Sequence, residues 1–276
     1  MRRVILALLI VLASHSMAFA TWSVIAVDRD TGEVVIASAT CVTQARLVRF
    51  PAKSLMDVQA IVVPGKGVAA AQAGVDRTRA NQQLIFDELS KGTDPAEIIR
   101  LLAEDERFAS RQFGIVDMQG RSAGHSGSDN GSVSLHVAGK VDGAPVFFSV
   151  QGNILTNERV VLDAVEALCR TDGSLSDRVM AAMEAADANG GDSRCTCETE
   201  PLPSAPCDAK TAHVAYILVA DADDPSGDAF NDGNYALYIS VTDQDIKPQE
   251  DANPVKILRM RYDAWKAAQD PRSRNP

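Results

Sequence analysis

Two pairs of short β-branched runs open the chain after residue 20, and the spacing inside each pair leaves room for a turn and nothing more. Trp22 to Asp28 and Val34 to Thr40 are separated by Arg29-Asp30-Thr31-Gly32-Glu33. Val58 to Val63 and Val68 to Ala73 flank Pro64-Gly65-Lys66-Gly67. Short alternating runs joined by Gly-containing turns form antiparallel hairpins, so the chain begins with four strands in two hairpins.

Helical periodicity follows. Asp76 is placed to cap a run through Leu84, Ile85 and Leu89 that stops at Gly92, and Asp94-Pro95 opens a second run through Ile98, Ile99, Leu101 and Leu102. Strand signals return at Phe113 to Asp117, Ser122 to His125, Val133 to Val137 and Val146 to Gln151. Two more helices are predicted over Asn157 to Arg170 and Ser176 to Ala188. The remaining elements are strands Val214 to Ala220 and Tyr235 to Val241, then a helix from Pro254 to about Ala268. Hairpins alternating with helix pairs lack the strand-helix-strand rhythm of a parallel sheet. The predicted fold is therefore α+β, a four-layer αββα sandwich of two antiparallel sheets flanked by helices. The near-continuous apolar character of Val146 to Val150 and Val214 to Ala220 fits strands covered on both faces.

Residues 1–20 read as an export signal. Arg2 and Arg3 precede an apolar run from Val4 to Ala13, and Ala18-Phe19-Ala20 supplies the small residues before a cut after Ala20. The run falls short of the roughly 18 to 20 apolar residues of a membrane span. Cleavage would leave 256 residues, a periplasmic or secreted protein without a membrane anchor, and would take the formal charge from −10 to −12. That length suits one or two domains, and the reading here is a single domain over 21–269, with a loop at 193–209 and a loose tail at 270–276. The acidic balance argues against nucleic acid as a partner, and the sequence leaves homo-oligomer formation open.

Of five cysteines, Cys195, Cys197 and Cys207 bunch in a loop rich in Pro, Ser and Glu. In an oxidising compartment they predict one loop-closing disulfide, Cys207 with Cys195 or Cys197. The alternative is a metal site built from Cys195, Cys197, Cys207 and His213, although C-x-C is not the usual zinc spacing. Cys41 and Cys169 fall inside predicted elements and read as buried apolar residues.

The cut after Ala20 would make Thr21 an N-terminal threonine, whose α-amine can take the proton from its own hydroxyl as that oxygen attacks a carbonyl. Five stretches then carry a resemblance: Thr21-Trp22-Ser23-Val24-Ile25-Ala26, the strand pair split by Thr31-Gly32-Glu33, Arg111-Gln112-Phe113-Gly114-Ile115-Val116-Asp117, Gln151-Gly152-Asn153-Ile154-Leu155, and Gly190-Gly191-Asp192 with Arg194. In order and spacing they resemble the bacterial domain of unknown function 1028 over nearly all of 21–269. That family is similar to the N-terminal-nucleophile (Ntn) hydrolases, whose fold is the αββα sandwich. The resemblance implies attack by Thr21 on an amide and an acyl-enzyme ester released by water; it implies no substrate identity. Members commonly begin Met-Thr-Phe-Ser, so here signal cleavage would expose the same threonine by another route. The chain departs from the pattern at 195–209, where the family connection is shorter.

Around Thr21 the expected support is as follows. Asn153, at the end of an apolar strand with Gln151 and Gly152, can present its amide to a developing oxyanion; Gly-Asn is equally ordinary turn chemistry. Lys53 would lower the amine pKa if it stood nearby, as a lysine does in proteasome-like relatives; as a loop residue it reads as solvated. Asp192 and Arg194 after a Gly-Gly break would orient the site or bind a substrate carboxylate, or form a loop salt bridge. Ser23 and Ser38 share the sheet with Thr21 and either bond near its amine or serve as polar strand residues. His125 and His136 lie near Ser126, Ser128, Asp129 and Ser134, but no Gly-x-Ser-x-Gly elbow accompanies them. The acidic loop 221–233 lacks the spacing of a calcium-binding EF-hand. No nucleotide motif is present, and no cofactor or metal is expected. The sequence thus points to an exported amidohydrolase acting on a small-molecule or peptidic amide through Thr21, the alternative being a non-catalytic exported binding or envelope-associated protein on the same scaffold.

Overall fold

The computed structural model describes residues 21–50 and 52–269. The predicted signal segment and tail lie outside them. Strands β1 (Thr21–Asp28) and β2 (Val34–Thr40) pair antiparallel in the register Thr21 to Thr40 through Val27 to Val34. Two short helices, α1 (Gln44–Leu47) and α2 (Leu55–Gln59), come before β3 (Ala60–Val63) and β4 (Gly67–Ala73). The second hairpin therefore starts at Ala60 and not at Val58. The Ser54 side chain accepts the Asp57 N–H and caps a helical turn there, and Val58 is buried from a helix instead of a strand.

Helices α3 (Ala80–Lys91) and α4 (Pro95–Leu102) follow. Asp76 does meet the start of α3, its carboxylate accepting the Thr78 and Asn81 N–H groups at 2.9 and 3.1 Å. At the other end Gly92 adopts φ 78°, the left-handed C-terminal position that glycine fills without strain. Next come β5 (Arg111–Asp117), β6 (Ser122–Ser126), β7 (Ser134–Lys140) and β8 (Val146–Asn153), then α5 (Arg159–Arg170) and α6 (Leu175–Ala188). Strands β9 (Val214–Ala220) and β10 (Leu237–Thr242) and helix α7 (Pro254–Gln269) complete the described chain.

The fold is α+β with two antiparallel sheets. One has six strands in the order β10-β9-β2-β1-β8-β7 and the other four, β3-β4-β5-β6. Strand alternation sends Trp22, Val24 and Ala26 of β1 toward α5, α6 and α7, where they pack with Val161, Val179, Met183 and Leu258. The opposite positions, Ile25 and Val27, pack with Ile36, Val62, Val68 and Val116, joining the two sheets. A third core sets Ile61, Ala69 and Phe113 against Ile85, Leu89, Ile98 and Leu102 of α3 and α4. Each fully buried large aliphatic residue contributes about 1.5–3 kcal/mol, so the central strands β1 and β2, buried along nearly their whole length, anchor whatever stands at their ends.

Two disulfides form, Cys197–Cys207 across ten residues and Cys41–Cys195 across 154. The loop-closing pair is thus Cys197–Cys207. Cys41 is not the free apolar residue expected: β2 delivers it directly beside the loop that carries Cys195, a proximity that sequence distance conceals. In this disulfide-bonded form the four-residue metal set does not assemble, since Cys197 and Cys207 are bonded to each other and Cys195 to a fifth residue. Cys169 remains a half-buried thiol. No described helix is long and apolar enough to cross a membrane.

Candidate functional site

Thr21 is the first residue of the central strand β1, and in register it stands between Thr40 of β2 and Asn153 of β8. By alternation all three lie on the face that meets the four-stranded sheet. Thr21 Oγ1 donates to Thr40 Oγ1 at 3.3 Å, and Thr40 Oγ1 also accepts the Val42 N–H at 3.2 Å. Thr21 is 1% exposed and Asn153 fully buried.

Behind this row lies a polar layer between the sheets. Ser149 Oγ donates to Gln151 Oε1 at 2.8 Å, and Gln151 Nε2 donates to Ser23 Oγ at 2.6 Å. Ser23 Oγ donates in turn to Gln72 Oε1 at 2.7 Å. Gln72 Nε2 bonds the Thr21 carbonyl at 3.0 Å and Gln112 Oε1 at 2.8 Å. Gln112 Nε2 returns to the six-stranded sheet at the Gly152 carbonyl, 2.9 Å away. The chain of bonds leaves one sheet, crosses to the other and comes back, so Thr21 is held by both. Such a network is worth most when every member is satisfied, because the low dielectric strengthens each bond and penalises each omission.

Gly114 of β5 makes the close approach possible. A Cβ there would stand 2.2 Å from Gln151 Oε1 and 2.8 Å from Ser149 Oγ. Only glycine leaves the space that the Gln151 amide fills.

The predicted support residues separate into groups. Asn153, Gly152, Gln151 and Ser23 lie beside or directly behind Thr21. Ser38 is on the same face, but its hydroxyl donates to the Trp22 carbonyl at 2.6 Å and shares that proton with Gln59 Oε1, 3.2 Å away, tying β2 to β1 and to α2. Asp192 and Arg194 form an ion pair, with Arg194 Nη2 2.8 Å and Nε 3.0 Å from the carboxylate. The same fully buried carboxylate accepts the Cys41 N–H at 2.9 Å, which pins the chain just past Thr40. Lys53 is exposed ahead of α2, with its N–H on Asp57 and its carbonyl on Gln44, and takes part in none of the bonds around Thr21.

Sequence reasoning misses Thr40, Gln59, Gln72 and Ser149, and names Gln112 only within the Arg111 to Asp117 stretch. A signal exists in retrospect: polar residues recur at every second position at matching strand ends, Thr21 and Ser23, Ser38 and Thr40, and Ser149, Gln151 and Asn153. Gln72 interrupts an otherwise apolar run, Val68-Ala69-Ala70-Ala71.

Elsewhere, His125 stacks on Phe108 with ring centroids 3.6 Å apart and Nε2 3.0 Å from the Phe108 carbonyl, while Ser126 bonds Ser134 at 2.6 Å. No serine-histidine pair results from these contacts. In the acidic loop, Asp224 accepts the Asp221 and Ala236 N–H groups and Asp232 that of Ala229, so these carboxylates cap the loop's own backbone. A hollow of about 310 Å³ beside α3 and α4 is lined by Asp76, Asn81, Leu84, Asp105 and Arg111 among others, and by none of the predicted site residues. Arg111 there is held by Asp105 at 2.8 Å and by the Gly74 carbonyl.

Comparison with known proteins adds the following. The profile of a family of unknown function, DUF1028, matches residues 21–227. No curated protein matches the sequence. The crystal structure of a Silicibacter pomeroyi protein assigned to DUF1028 is similar, with a TM-score of 0.63 and 21% sequence identity over 91% of this chain and 88% of that one. At this identity the likeness is one of fold.

Proposed function

The chain belongs to the family of unknown function DUF1028, and from that premise together with the geometry around Thr21 we propose an exported N-terminal-nucleophile amidohydrolase that cleaves a small or peptidic amide. In this reading the three apolar cores stack helices, sheet, sheet and helices into the four-layer αββα sandwich of the Ntn hydrolases. The observation that carries it is the position of Thr21: first in the central strand, in register between Thr40 and Asn153, over a buried polar layer. The family match begins at the same residue.

In the uncleaved chain the Thr21 nitrogen is a peptide amide with no basic lone pair. Cleavage after Ala20 turns it into an amine with a reference pKa of about 7.7–8.0, partly neutral near pH 7. The amine takes the hydroxyl proton as Oγ bonds to the substrate carbonyl carbon. Asn153 stabilises the resulting oxyanion, a role typically worth about 3–4 kcal/mol. The ammonium proton passes to the leaving amine as the C–N bond breaks. Water, activated by the same amine, then hydrolyses the ester and restores Thr21.

A second reading, a non-catalytic exported binding protein, draws on the burial of Thr21, which is 1% exposed with residues 1–20 still attached. One experiment separates the two. Intact mass of the exported protein is measured before and after treatment with an electrophilic β-lactone. A start at Thr21 with one adduct, absent from Thr21→Ala processed at the same site, supports the nucleophile. Processing elsewhere, or a free Thr21 that resists a panel of lactones of differing size, supports the binding protein.

A further inference from the structure

His213, which leads into β9, is 1% exposed, and neither ring nitrogen has a hydrogen-bond partner among the described residues. A neutral imidazole ordinarily donates from one nitrogen and accepts at the other. Burying such a group unsatisfied is unfavourable. The backbone here is fixed, because the main-chain N–H of His213 donates to the Thr40 carbonyl at 2.7 Å. Directly beside it is the Cys41–Cys195 disulfide: the two sulfurs and the imidazole ligand atom all lie within 4.8 Å of one another. Both cysteines are buried, at 8% exposure.

We propose that Cys41, Cys195 and His213 form a redox-gated site for a thiophilic cation of the zinc type, closed in the disulfide form and opened by a dithiol reductant. Opening transfers two electrons and two protons: the S–S bond breaks, each sulfur gains a proton, and the dithiol closes to its own disulfide. The cation then bonds both sulfurs, releasing the two thiol protons to water, while neutral His213 supplies a nitrogen lone pair. Two thiolates and an imidazole are a recognised zinc set that leaves a fourth position for water. This site does not depend on the Thr21 reading.

The test is cobalt titration, under inert gas, of purified protein reduced with a phosphine that does not compete for metal. The expected result is one Co²⁺ per chain with sulfur-to-cobalt charge transfer and tetrahedral d–d absorption, displaced by Zn²⁺ and absent from oxidised protein. His213→Ala and Cys41→Ser should each weaken binding by about tenfold or more, whereas the Cys197→Ser/Cys207→Ser double variant should bind as the parent does. A reduced, folded protein that takes up no cobalt overturns the proposal, as does equal binding by His213→Ala or loss of binding in the double variant. Circular dichroism on the same samples reports the fold. If reduction unfolds the chain, Zn²⁺ must restore the folded signal in the parent and not in His213→Ala, and failure to do so is equally decisive against the site.

Discussion

Thr21 Oγ1 donates a hydrogen bond to Thr40 Oγ1 across the β1–β2 pair, 3.3 Å from oxygen to oxygen. The partner's own position is fixed on both sides: Thr40 Oγ1 accepts the Val42 N–H, and the Thr40 carbonyl accepts the His213 N–H. Thr40 thereby orients the hydroxyl on which the proposed chemistry depends.

Thr40→Val keeps the β-branched shape and removes that oxygen. A typical hydrogen bond contributes about 1 kcal/mol, so the melting temperature should fall by a few degrees. Lactone labelling of Thr21 should slow by about tenfold, the effect of misaligning the nucleophile by about 1.4 kcal/mol. Labelling at the parental rate would remove Thr40 from the site.

Gln72 is the hinge of the inter-sheet network, bonded to Ser23, Thr21 and Gln112 at once. Gln72→Leu conserves volume but strands three buried partners. The expected loss is about 2–4 kcal/mol in urea unfolding.

Gly114→Ala should destabilise by about 1–3 kcal/mol, because the new methyl group meets the Gln151 amide. The companion variant Gln151→Ala vacates that space. In a double-mutant cycle the pair should therefore cost less than the sum of the single changes, and strict additivity would argue that the two sheets do not approach as described.

Glu33 supplies a pH signature. Burial, reinforced by Asp221, Asp28 and Asp177 and opposed by Lys266, raises its pKa to about 7 from an ordinary 4.5. One carboxylate oxygen has no partner among the described residues. The folded state therefore holds the proton more tightly than the unfolded state. Stability is greatest below 4.5 on this account and falls as pH rises to 7, then levels off. Glu33→Gln should be more stable than the parent by about 1–2 kcal/mol at pH 8, after allowance for partial solvent screening, and nearly equal to it at pH 4.

The two disulfides should differ in weight. Chain-entropy arguments assign about 5 kcal/mol to a loop of 154 residues and about 3 kcal/mol to one of ten. Replacing Cys41 and Cys195 with serine should thus lower unfolding stability more than replacing Cys197 and Cys207. The reverse order, measured by denaturant titration under oxidising conditions, would refute this ranking.

Local chemistry was legible in the chain. Strand and helix periods, the Asp94-Pro95 cap, the Gly92 stop and the five-residue turn between β1 and β2 depend on neighbours a few positions apart, and they fixed nearly every element and the antiparallel class. The exception at Val58 has a local cause as well, a serine cap that outcompetes β-propensity. Thr21 could be singled out because the proposed reading of it starts from its place after the predicted cleavage motif, a local feature of the chain. Tertiary structure alone decided what surrounds it. Gln72 and Gln112 come from the other sheet, and nothing in the sequence near Thr21 specifies which strand will face it across the interface. Cys41 and Cys195 are 154 positions apart, and only the docking of the 193–209 loop against the end of β2 brings them together beside His213. Hydrophobic alternation dictates that a face will be buried; the packing of the two sheets determines which buried polar groups meet there.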